Sequence, residues 1–123
     1  MQTLKKQIKP WYNRKILGLF DLEANIEIAQ SLFKQTKYQE TIDTCHEILA
    51  TDNNSIEALK LIAKSFLTTL QIKDARLFLN KALKINPDDY EVIKDIGNTF
   101  QAVGDSNTAK KYYQKAIDIN SSY

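Results

Sequence analysis

The stretch Ile56–Pro87, IEALKLIAKSFLTTLQIKDARLFLNKALKINP, is followed two residues later by Tyr90–Ser121, YEVIKDIGNTFQAVGDSNTAKKYYQKAIDINS, and the two align without a gap at a spacing of 34 residues. What they share is a pattern of side-chain size. Ala63 and Gly97 are small, and Phe66 and Phe100 are bulky three residues later. Ala75 and Ala109, then Ala82 and Ala116, are small again, with Leu79 and Tyr113 between them. Working outward toward the start of the chain, a degenerate copy begins at Leu22, with Ala29, Leu32, Thr41 and Cys45 in the same places. Antiparallel helices approach within about 8–10 Å when small side chains sit at the crossing and large ones fill the grooves beside it. A period of this length in helix–turn–helix units denotes a stacked solenoid, each unit covering the bare face of the one before.

The punctuation agrees. Ile56, Leu59, Ile62, Ala63, Phe66 and Leu67 follow a 3.6-residue period and not alternation. Asp52-Asn53-Asn54-Ser55 marks a boundary between helices, and Gly104-Asp105 ends one helix and starts another. Asn86-Pro87-Asp88-Asp89 reads as a helix start, with Asn86 as the cap, Pro87 in the first helical position and two acids at the positive end of the dipole.

These residues resemble the tetratricopeptide repeat. Gly97, Ala109, Ala116, Ala75, Ala82 and Pro87 stand where that family's pattern wants them, and the resemblance covers residues 22 to 121. The first copy departs at Asn25, Ile48 and Asn53, where a large apolar residue, a small one and a proline are usual. An ordinary helical bundle with accidental periodicity is the competing reading. The resemblance implies an all-α, right-handed helical-hairpin solenoid of three repeats, 22–55, 56–89 and 90–123, preceded by an arm of residues 1–21.

With 123 residues the chain is one domain. Charged residues make up 26% and apolar ones 43%, an ordinary soluble composition. Net charge is +2, unevenly placed: Lys5, Lys6, Lys9, Arg14 and Lys15 face only Asp21 in the arm, while the repeats are slightly acidic. The single cysteine, Cys45, excludes an internal disulfide and reads as a buried thiol in a reducing, cytoplasmic setting. The apolar run Ile16–Phe20 is far short of the roughly 20 residues of a membrane-spanning helix. The arm itself places Leu4 and Ile8 on one helical face, breaks at Pro10, and offers Asn13 as the cap of a helix running on into the first copy. It reads as an N-terminal cap packing Trp11, Leu17 and Phe20, or as a docking arm, or as a basic membrane-surface helix.

Catalytic constellations are missing from the sequence. His46 is the only histidine, and adjacent residues on a helix point about 100° apart, so it does not serve Cys45 as a base. One Cys and one His do not make a zinc site. There is no phosphate-binding glycine loop and no nucleophile elbow. Nucleic-acid binding needs a basic stripe, and the repeats lack one. No enzyme activity, metal, cofactor or nucleic acid is expected.

In the family this chain resembles, the first helices line a concave groove. That assigns the inward face to Glu23, Ile26, Gln30 and Phe33 in copy one, to Glu57, Lys60, Lys64 and Leu67 in copy two, and to Glu91, Lys94, Asn98 and Gln101 in copy three. Three glutamates form an acidic rim, three lysines a basic strip, and Ile26, Phe33 and Leu67 an apolar lining. The expected partner is a protein or peptide. Some members of the family clamp a chaperone's C-terminal carboxylate with Lys, Asn and Arg. Ile26, Gln30, Leu61, Glu91 and Asp95 stand at the matching places, and the absence of a cation argues against that ligand. A different expectation is self-assembly, as a homodimer, through apolar surface at Tyr112, Tyr113, Ile117, Ile119 and Tyr123. The same surface would suit a fragment of a longer array.

Overall fold

The computed structural model describes the backbone of residues 18–121 and the side chains of residues 23–121. The expectations for the arm, and for Tyr123, lie outside the described side chains. The described residues form six helices and no strands: α1 (Gly18–Lys34), α2 (Tyr38–Thr51), α3 (Ile56–Thr68), α4 (Ile72–Ile85), α5 (Tyr90–Ala102) and α6 (Ser106–Ile119). The first is longer than its counterparts α3 and α5, as the continuous apolar pattern before Leu22 predicts.

Two kinds of turn alternate, and each recurs every 34 residues. Within a hairpin, Thr36, Leu70 and Gly104 take positive φ values of 61°, 62° and 86°. At each, the N–H bonds back to a carbonyl of the last helical turn, and the next N–H reaches one residue further back. Leu70 thus bonds Leu67, and Gln71 bonds Phe66. This is a left-handed helix stop, which glycine adopts without strain and Thr or Leu do not. Between hairpins, Asp52 and Asn86 close one helix, and their side chains accept from the N–H groups of Asn54 and Asp88. Ser55 and Asp89 then cap the next helix, Ser55 accepting from Ala58 and Asp89 from Glu91 and Val92. This corrects the expected start at Asn86. Its amide is turned into the loop, so the helix begins three residues later, where the Asp89 carboxylate meets the unpaired N–H groups. Pro87 lies in the loop.

Each hairpin packs on itself, α2 packs on α3, α4 on α5, and the first helices α1, α3 and α5 lie side by side. This nearest-neighbour packing is the solenoid pattern. The core runs the length of the stack through Ala29, Cys45, Ile48, Leu59, Ile62, Leu79, Val92 and Ile96. The small residues sit at the crossings: Ala29, Thr41, Ala63, Ala75 and Ala109 are at most 1% exposed. Gly97 is the tightest case. A Cβ built there would lie 2.7 Å from Cε1 of Tyr113 and 3.3 Å from the Ala109 carbonyl oxygen.

Aromatic contacts tie the layers together. His46 meets Phe78 edge-on, and Phe78 stacks on Phe66. Arg76 of α4 lies 4.0 Å over the Phe100 ring and donates to the Thr99 hydroxyl, and Tyr112 stacks on the same Phe100 ring at 5.5 Å.

Candidate groove and open end

Two adjoining clefts run along α1, α3 and α5. The first, about 390 Å³, is lined by Glu23, Ile26, Glu27, Gln30 and Glu57 together with Ile48, Asp52 and Ser55. The second, about 300 Å³, is lined by Gln30, Ile56, Glu57, Lys60, Leu61, Lys64 and Glu91. They share Gln30 and Glu57, so they form one groove. Seven of the twelve residues assigned to the groove from sequence line it. Phe33, Leu67 and Gln101 stand instead at the hairpin turns: Phe33 packs edge-on against Tyr38 at 5.4 Å, Leu67 accepts from the turn N–H of Leu70, and Gln101 donates to the Ser106 hydroxyl. Lys94 and Asn98 line a third cleft, described below.

Charge in the groove is arranged differently from a rim and a strip. Lys60 reaches from α3 to the start of α5, donating to Asp89 at 3.0 Å and to Glu91 at 2.9 Å. Asp89 thereby holds two jobs, one oxygen capping α5 and the other receiving Lys60. Lys64 donates to Asp95 at 3.1 Å, and Asn98 donates to the other oxygen of that nearly buried carboxylate. Burial pulls the Lys60 ammonium down, but hydrogen bonds and charge from Glu91 and Asp89 outweigh it and hold the group above its usual value. The hydrogen bond from Lys60, and its charge, hold Glu91 below the usual carboxylate range. The sequence reading missed these bonds because the partners lie 29 to 31 residues apart, on helices whose rotation about their axes it did not fix. Two of the groove's cations are thus committed to the fold. Glu23, Glu27 and Glu57 remain exposed, with no ion pair among the described residues.

The third and largest cleft, about 690 Å³, opens between α5 and α6. Tyr90, Lys94, Asn98, Tyr113, Ala116, Ile117, Asn120 and Ser121 line it. Tyr113 donates to the Asn98 side-chain oxygen at 2.6 Å, and Ile117 is 59% exposed. Of the residues expected to make an oligomer surface, Tyr113 and Ile117 therefore share a face. Tyr112 is turned onto Phe100 and a separate hollow with Thr108, Lys111 and Lys115, as its 100° offset from Tyr113 requires. Ile119 is exposed.

Nothing in the groove assembles a reacting constellation. Cys45 is fully buried, and burial pushes its thiol up to about 12. His46 is exposed and contacts Phe78. Among the described residues no three His, Cys, Asp or Glu side chains cluster to hold a metal ion, and no helix is long and apolar enough to cross a membrane.

The fold and its period define a class, the stacked paired-helix repeat proteins. Comparison with known proteins agrees. The tetratricopeptide repeat profile matches residues 95–123. A tetratricopeptide repeat protein 21 homolog from Caenorhabditis elegans is 21% identical over 100 residues, covering 81% of this chain but 8% of that protein. Among solved structures, MamA superposes with a TM-score of 0.76 at 20% identity, over 81% of this chain and 58% of that one. The first repeat domain of Spaghetti (RPAP3), solved bound to the HSP90 peptide SRMEEVD, gives 0.77 at 20% identity over 83% of this chain and 81% of that one. The chain therefore spans little more than half of MamA and a small part of the curated relative. Its fold is that of a tetratricopeptide repeat solenoid, and residues 95–123 are similar to that repeat in sequence.

Proposed function

We propose that this chain is a non-catalytic protein-interaction module, and that its groove takes a polypeptide segment carrying basic and apolar side chains. One observation carries this reading. Lys60 and Lys64 are already satisfied by Asp89, Glu91 and Asp95, so the charge left for a partner is that of Glu23, Glu27 and Glu57, beside the apolar side chains of Ile26, Ile56 and Leu61. An acidic, carboxylate-ended ligand such as the SRMEEVD peptide of the RPAP3 complex meets repulsion here. Three apolar anchors contribute about 1.5–3 kcal/mol each at most. Ordering a flexible peptide removes several kcal/mol of that. A short ligand thus binds at about micromolar strength or weaker, near −8 kcal/mol. The thiol's burial suits a reducing, cytoplasmic setting.

Fluorescence anisotropy with labelled SRMEEVD, and with a counterpart bearing Lys at its three acidic positions, tests the reading. The basic peptide is expected to bind, and Glu57→Lys to weaken it about tenfold through like-charge contact. Equal or tighter binding of SRMEEVD overturns the proposal, as does indifference to Glu57→Lys.

The cleft between α5 and α6 favours a second reading, self-association. At about 690 Å³ it is larger than either cleft of the groove, and its lining is mainly apolar.

A further inference from the structure

The 34-residue period shows what the cleft between α5 and α6 is shaped to receive. Shifted back one repeat, its lining residues Tyr90, Tyr113, Ala116 and Ile117 become Ile56, Leu79, Ala82 and Leu83. In that earlier repeat Leu79 and Ala82 are 1% and 0% exposed, because α5 packs there with Val92, Ile93 and Ile96 turned inward. The occupant that matches the cleft is therefore a first helix of this same repeat type.

Charge narrows the choice. At the joint between repeats two and three, Lys60 holds Asp89 and Glu91, and Lys64 holds Asp95. One repeat on, the positions of Lys60 and Lys64 are Lys94 and Asn98. Lys94 is exposed and has no ion pair among the described residues. Two repeats back, the positions of Asp89, Glu91 and Asp95 are Asp21, Glu23 and Glu27, all acids. The second repeat has Ser55, Glu57 and Leu61 there, so the full acidic set recurs only on α1. Glu23 and Glu27 are exposed and without an ion pair among the described residues. The apolar face agrees. Ile28 holds the place of Ile62 and Ile96, which are 0% and 2% exposed, yet Ile28 is 47% exposed, and Ala24 beside it is also exposed.

We propose that copies of this chain join head to tail, the α1 face of one copy seating in the α5–α6 cleft of another, with Lys94 against Glu23 and the spare Asn98 amide hydrogen against Glu27. The proposal rests on the self-association reading and specifies its geometry. The joint reproduces the one between repeats two and three, with the covalent loop missing. It is heterologous, so it propagates beyond a dimer. Asn25 and Ala24 replace the larger Ile93 and Val92 of the internal joint, so it is weaker than that joint.

Analytical ultracentrifugation of the 123-residue chain across a concentration series tests this. The expected result is concentration-dependent growth past two copies, weakened several-fold when salt rises from about 50 to about 500 mM. Lys94→Glu alone, and Glu23→Lys with Glu27→Lys alone, each weaken association about tenfold or more. An equimolar mixture of the two variants regains it, because every joint in the mixture again pairs opposite charges. Circular dichroism confirms that the exposed substitutions leave helicity intact. A chain that stays monomeric at about 0.5 mM and low salt overturns both the geometry and the self-association reading. Association that stops at a dimer, responds to Lys94→Glu and ignores the glutamate changes overturns the head-to-tail geometry while leaving self-association through α6 standing. Failure of the mixture to recover likewise overturns the geometry. Glu23 and Glu27 also line the groove, but sedimentation of the chain alone involves no groove ligand, so its outcome is separate from that of the peptide titration.

Discussion

Gly97→Ala is the sharpest probe of how this stack is packed. In an exposed helix interior the change stabilises, because alanine is favoured over glycine by about 1 kcal/mol. Here the added methyl would stand 2.7 and 2.9 Å from Cε1 and Cδ1 of Tyr113, and 3.3 Å from the backbone oxygen of Ala109. Carbon atoms rest at about 3.5–4.0 Å, so the ring must withdraw by roughly 1 Å. It is not free to do so, since its hydroxyl donates to Asn98 at 2.6 Å. Overpacking of this kind costs about 1–3 kcal/mol. The net is a loss of about 1 kcal/mol, a drop of several degrees in Tm for a domain of this size. The repeats supply their own control. Where repeat three pairs Gly97 with Tyr113, repeat two has Ala63 and Leu79 at the same places. Adding Tyr113→Leu to Gly97→Ala recreates that pair and should recover most of the loss. Urea unfolding of the two single variants and the double variant gives the coupling, expected at about 1–2 kcal/mol. A Gly97→Ala protein more stable than the parent, or a cycle with no coupling, would refute the close crossing.

Two further outcomes follow from the turns and the ion pairs. Leu70 occupies a left-handed position with φ 62° while 77% exposed, so Leu70→Gly relieves backbone strain and forfeits little burial. It should raise stability by about 0.5–1 kcal/mol, and the reverse exchange at Gly104 should lower it by a similar amount, both read from urea midpoints. The Lys60–Glu91 pair predicts a stability plateau bounded on both sides. Glu91 is held below its ordinary value of 4.5, so its contribution is complete above pH 4.5 and disappears as pH falls through the lowered value. Lys60 is held above 10.5, so its contribution is complete below pH 10.5 and disappears as pH rises through the raised value. Glu91→Gln should flatten the acid limb of a Tm-against-pH curve. Acid limbs that run parallel in the two proteins would count against the pair.

Much of the architecture was legible from residue sizes. Ala63, Gly97, Ala75 and Ala109 announce close crossings because only small side chains permit them, and the same requirement recurs at every layer of a stack. The helix stop at Gly104 was legible because glycine advertises a positive φ. The equivalent stops at Thr36 and Leu70 were not, since the packing of the hairpin imposes that conformation on residues that avoid it. The start of α5 was misplaced by three residues. Asn86 and Asp89 are both good caps, and the choice between them depends on which one the loop leaves facing the open N–H groups.

The sequence by itself determined the period, the helices and the crossings, because each is written in local composition repeated at a fixed spacing. Only the tertiary structure decided how the charges are spent. Lys60 and Lys64 look like binding residues along the chain, and folding brings them within 3.1 Å of acids on the next repeat. The physical reason is that an ion pair depends on distance in space. Helices from successive repeats pack side by side, and that rigid neighbourhood is what selects the partners.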